Sequence, residues 1–127
     1  MMNHWYDMPL FRGIDLNDSF VLGWKQEPAQ VVFEIEASVW PESQFYRTPK
    51  PDEYTCYRKA KLMFQGCSSI LGLRSMSDTK STVDPDGTKD YGNIDSLYQT
   101  GAVFRVYGDF GEVEIQGGSL TLEFSET

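Results

Sequence analysis

Three carboxylates and a carboxamide crowd one short stretch, DPDGTKDYGN at residues 84–93: Asp84, Asp86, Asp90 and Asn93 around Gly87. Calcium takes its oxygens from carboxylates and carbonyls on a loop that bends sharply at glycine, so this run is the first place to look for a metal. The EF-hand spacing does not fit. With Gly87 as the bend glycine, Thr82 falls at the first ligand position and Asn93 at the last, where a bidentate Glu belongs. Asp-Pro-Asp-Gly is instead a strong type I turn, with Asp first, Pro fixing φ at the second place and Gly fourth. The reading is a turn with no metal and no cofactor assigned, and Asp84, Asp86 and Asp90 remain as the candidates for calcium.

Catalytic sets are scarce. A Ser-His-Asp or Cys-His arrangement has one histidine to draw on, His4, in a segment expected to fray. One His and two well-separated Cys make a poor zinc site, and Cys56 and Cys67 read as small buried apolar residues. Glu34 and Glu36 share a strand face, as do Glu112 and Glu114; such pairs do acid/base work in glycosidases, but alternate Glu is also what a half-wet strand shows. The glycines of GDFGEVEIQGG punctuate strands and lead into no helix, so no phosphate loop is present. The chain is read as a non-enzyme.

The elements that must position these residues follow period two. In QVVFEIEASVW, Val31, Phe33, Ile35, Ala37 and Val39 point one way, and Glu34, Glu36 and Trp40 the other. KAKLMF places Ala60, Leu62 and Phe64 inward. AVFRVY places Ala102, Phe104 and Val106 inward, EVEIQ Val113 and Ile115, and SLTLEFSE Leu120, Leu122 and Phe124. SFVLGWK, residues 19–25, is a shorter strand. KQEPA turns the first strand into the second. GDFG and then GG at 117–118 read as hairpin turns that make the last three strands a meander. RGIDLND near 12–18 and DYGNIDSLY from Asp90 are the two candidates for a helical turn, the second capped by Asn93. Residues 41–54 and 74–93 are long loops. The expectation is all-β: one domain over residues 1–127, an antiparallel sandwich or curled meander sheet of about six to seven strands with at most short helical turns.

Bulk properties narrow the function. The chain has 127 residues, 11 basic and 19 acidic, for a net charge of −8. Nucleic-acid binding draws on clustered Lys and Arg, so nucleic acid is not the expected partner. The N-terminal stretch has no basic region followed by a clean apolar run, and no window is apolar enough to span a bilayer. A cytoplasmic protein with no membrane partner is expected. Alternating strands place Glu34, Glu36, Glu112, Glu114 and Glu123 outward, and neighbouring strands would merge them into one acidic patch able to steer a basic protein. Tyr and Trp are enriched at interface hot spots, and the aromatics near the long loops, Trp40, Tyr46 and Tyr54 among them, are the anchors to expect.

The series DSFVLGW, VVFEIEASVWP, YRKAKLMF, DYGNIDSLY, FGEVEI and LTLEF resembles a group of small bacterial all-β proteins, some similar to immunity proteins of toxin systems. The resemblance spans roughly residues 18–125. It implies a fold type and no catalytic residue. From residues and resemblance together, the expected function is a non-enzymatic protein-binding module, an acidic immunity or antitoxin-like inhibitor of a basic bacterial toxin. Glu34, Glu36, Trp40, Tyr46 and Tyr54 are its expected contact residues. The alternative is a small-ligand or carbohydrate-binding β-sandwich, with or without calcium.

Overall fold

The computed structural model describes residues 2–125. Its strands are β1 Met2–His4, β2 Ile14–Glu27, β3 Gln30–Val39, β4 Cys56–Gln65, β5 Ser69–Leu73, β6 Thr82–Val83, β7 Lys89–Asp90, β8 Ile94–Thr100, β9 Val103–Gly108, β10 Gly111–Gln116 and β11 Ser119–Phe124. All pairings are antiparallel. A five-stranded sheet runs β1-β8-β9-β10-β5, a four-stranded sheet β11-β4-β3-β2, and β6-β7 form a small hairpin. The helical content among the described residues is three single 3-10 turns, Trp5–Asp7, Pro9–Phe11 and Met76–Asp78. Among the described residues, no helix is long and apolar enough to cross a membrane.

The two large sheets are the halves of a sandwich. Strict alternation on β3 and β4 buries Val31, Phe33, Ile35, Ala37, Val39, Leu62 and Phe64, and these meet Phe104, Val106, Val113 and Ile115 of the other sheet in one core. Phe64 packs edge-on to Phe104 at 5.3 Å, and Phe33 meets Phe110 at 4.8 Å. Both cysteines are free and buried in this core.

Both expected helical turns are strand. RGIDLND enters β2, where Ile14 and Leu16 are buried on alternate positions and the next buried residue is Ser19. DYGNIDSLY runs into β8, where Ile94 and Leu97 are buried three residues apart. In each case the pairing register slips, between Asp15 and Phe20 on β2 and between Ile94 and Ser96 on β8. A β-bulge inserts a residue and shifts the buried phase, so its spacing imitates a helix. β1 corrects the view of His4 as frayed, since His4 pairs with Tyr98. Ala102 lies exposed in the turn before β9.

The last three strands are not a meander. β9 and β10 pair, but β11 leaves for the other sheet and pairs with β4. Gly117 and Gly118 make a crossover alongside a second one, residues 66–68, which carries β4 into β5. Ser68 N donates to Gln116 O across the pair at 2.8 Å. Gly118 has φ +80°, and a Cβ there would run into the Gln65 carbonyl oxygen. Two glycines in sequence signal a tight backbone approach; here the approach is between two crossovers.

Candidate functional site

Register lays out the outward face of the four-stranded sheet in rows. Glu34 of β3, Lys61 of β4 and Glu123 of β11 stand abreast, and Phe20 of β2, Glu36 and Lys59 form the next row. The face is hollowed by two adjoining depressions of about 350 and 370 Å³ that share Leu22, Glu34 and Lys61. Together they make a groove across the sheet.

Three features border it. Met76, in its 3-10 turn, reaches the open backbone at Gly23, and the chain leading to that turn is held by Trp24 Nε1 donating to Arg74 O at 2.8 Å. The second border is the β6–β7 hairpin. Its tip is the predicted turn: Gly87 N donates to Asp84 O at 2.8 Å, and the Asp86 carboxylate accepts from Thr88 N at 2.9 Å. That bond holds the Asp86 carboxyl below its ordinary range. Asp90 is buried at the base, accepting from Gly92 N and from the Thr82 hydroxyl. Tyr91 N and Val21 O, and Val21 N and Gly92 O, then stitch the hairpin's exit to β2.

The third border is a phenol cluster. The Tyr54 hydroxyl donates to the Asp18 carboxylate, and the Tyr57 hydroxyl lies 2.6 Å from that of Tyr54 and 3.1 Å from Asp18 Oδ2. Burial, then the hydrogen bonds with Tyr54 and Asp18, push Tyr57 well above the usual phenol range. Phe20 packs on Tyr57 with ring centres 5.7 Å apart.

The hairpin and Glu53 crowd Glu36. Its carboxyl is raised above the ordinary value of 4.5, first by burial and then by Glu53; Lys59 opposes the shift, and Asp86 and Asp84 add to it. Glu36 thus sits half-buried in a field of carboxylates from the 41–54 segment and the β6–β7 hairpin. Among the described residues the ion pairs are Lys25–Glu27 and Arg105–Glu114, so neither Lys59 nor Lys61 closes a contact with the glutamates beside it. The groove is lined by the carboxylates of Glu27, Glu34 and Glu123, by Lys25, Lys59 and Lys61, and by the apolar stubs of Leu22, Val32 and Met76, with Glu36 and the phenol pair beside it.

The expected site residues divide. Glu34 lines this groove, Glu36 stands in the adjoining row with Asp84 and Asp86 near enough to act on its charge, and Tyr54 lies beyond that row in the phenol cluster. Asp90 is occupied inside the hairpin. No three His, Cys, Asp or Glu side chains among the described residues are grouped to hold a metal ion. Trp40 stands apart in a cleft with Trp5, and Tyr46 is exposed just past Phe45, whose ring stacks on Phe124 at 4.2 Å. The five-carboxylate patch is corrected. Glu112 and Glu114 lie on β10, on the outward face of the other sheet, where Glu114 pairs with Arg105 at 2.8 Å. Sequence reasoning missed Asp18, Phe20, Leu22, Glu53 and Met76; for Leu22 the signal was the alternation of β2, whose phase the bulges conceal.

No family model, curated protein or solved structure matches this chain. The groove's own chemistry is what bears on function.

Proposed function

We propose that this chain is a non-enzymatic protein-binding module that seats a basic segment of a partner protein in the groove of the four-stranded sheet, acting as an immunity or antitoxin-like inhibitor of a basic bacterial toxin. The observation that carries this reading is the convergence on Glu36. A half-buried carboxylate crowded by Glu53, Asp84 and Asp86 gains when a cation arrives. A net charge of −8 extends the same preference over the molecule and speeds encounter with a basic partner. Tyr54, 75% exposed yet held by Asp18, offers a fixed aromatic anchor beyond the Phe20–Glu36 row, to which Tyr57 links it.

The test is parallel affinity capture from host lysate on the wild-type chain and on the double variant E34Q/E36Q, at low and high salt. The expected result is one basic protein retained by the wild type at low salt, weakened by high salt and lost from the variant. Equal retention on both columns with no salt dependence would overturn the reading.

A further inference from the structure

A second concavity lies away from the groove floor. It is an open cleft of about 760 Å³ at the corner where the chain enters β2 and leaves β3, within the size range of small-ligand sites. Its walls are indole and phenol rings. Trp5 is wedged edge-on between Tyr6 and Phe11, with ring centres 5.5 and 6.2 Å away. Trp40, 44% exposed, lines the cleft and makes no ring contact among the described residues.

The corner is rigid. Trp40 N donates to Gly13 O at 2.7 Å, and Ser43 N donates to Trp40 O at 2.9 Å. Gly13, at φ +74°, lies so close to Ser43 that a Cβ would collide with its backbone. The interlock fixes the backbone at Trp40 before any ligand arrives, which lowers part of the ordering cost of binding.

The polar groups facing this cleft are mostly acceptors. Asp7, Asp15, Asn17 and Glu42 line it. Asn17 spends its amide protons on Ile94 O and Asp95 O, which leaves its side-chain carbonyl as an acceptor. Asp15 accepts Asp18 N through Oδ1, and its second oxygen has no protein partner among the described residues. Three carboxylates face one lining cation, Arg12, and none of the four is in an ion pair among the described residues. Aromatic faces carry negative charge, so rings and carboxylates select the same kind of ligand.

From this we infer that the cleft is a binding site for an organic cation, an alkylammonium or guanidinium group seated against the Trp40 ring and neutralised by Asp7, Asp15 and Glu42. The group has two sources, a free amine or a Lys or Arg side chain on a polypeptide. The inference does not depend on the groove, whose carboxylates are a different set.

The three tryptophans supply the test. Indole N–H resonances of the full chain are followed by NMR while it is titrated with spermidine, with N-acetyl-arginine amide and, as a neutral comparison, with methyl glucoside. Trp24, whose indole is bonded to Arg74 O, lines the groove of the four-stranded sheet and so reports separately on cations bound there. The expected result is a saturable shift of Trp40 and Trp5 with the cations at millimolar concentration, weakened by added salt and following its own binding curve whether or not Trp24 moves. W40A weakens binding by about two- to fivefold, the strength of an exposed cation–π contact. E42Q, at an exposed position, weakens it while leaving the spectrum of the free protein intact. The tighter of the two cations names the source. Unmoved Trp5 and Trp40 signals with both cations, or an equal response to methyl glucoside, would overturn the assignment.

Discussion

At the scale of single residues, Glu36 carries the sharpest consequence. Its folded carboxyl holds a proton more tightly than the unfolded chain does, because burial and Glu53 disfavour the charge. The unfolded chain releases that proton as pH rises through about the ordinary value of 4.5, and the folded chain releases it later. In that window the native state binds more protons, so this group's contribution to stability falls as pH rises. Glu36→Gln is therefore expected to raise the melting midpoint at neutral pH, with the gain shrinking to nothing as pH drops below that of the free carboxyl. Calorimetric scans of both proteins from acid to neutral pH check this. A variant that melts lower by the same amount at every pH would mean that Glu36 acts through packing or hydrogen bonding, and the crowding of charge around it would lose its significance. Lys59 works in the opposite direction, and Lys59→Met should deepen the neutral-pH loss in the wild-type background.

Elements explain which parts of this molecule were legible beforehand. β3 was readable almost residue by residue because inward Val31, Phe33, Ile35, Ala37 and Val39 alternate and are all buried, the one departure being Ser38, buried as well where its N–H meets the Ser19 hydroxyl. The start of β2 and all of β8 were not, because bulges turn period two into the three-residue spacing of Leu16–Ser19 and Ile94–Leu97. Local turn chemistry found the Asp84–Gly87 turn correctly but misassigned Gly117–Gly118, since a hairpin and a crossover ask the same of the backbone locally and differ only in which strand lies beyond. The site was half legible for the same reason. Glu34 and Glu36 follow from parity, whereas the arrival of Glu53, Asp84 and Asp86 beside them is a long-range fact that no local pattern holds. The crossover reading has its own test. Gly118→Ala places a side chain at a positive φ and against the Gln65 carbonyl, and should cost about 1–3 kcal/mol in urea unfolding. A loss of only a few tenths would mean the two crossovers separate easily.

For the molecule as a whole, the question is whether the two sheets open together. They are joined by the ring contacts of Phe33, Phe64, Phe104 and Phe110 and by the paired crossovers, so one opening should expose everything. The two free thiols sit well for asking this. Cys56 begins β4 deep in the sandwich, and Cys67 lies in the crossover just beyond its other end; both are buried, and burial pushes the Cys67 thiol up, away from reactivity. Under native conditions both should react with an aromatic disulfide slowly and at a common rate, the rate at which the sandwich opens. Phe33→Ala removes a fully buried ring that touches Phe64 and Phe110, and should cost about 3–5 kcal/mol. Because every ~1.4 kcal/mol is tenfold in the open population, labelling of both thiols should then speed up by about a hundredfold or more. If Cys67 were labelled far ahead of Cys56, and Phe33→Ala accelerated only Cys56, the crossovers would be a separate opening unit. The groove, whose rows rest on β4 and β11 joined at that end, would then be a surface that loosens independently of the core beneath it.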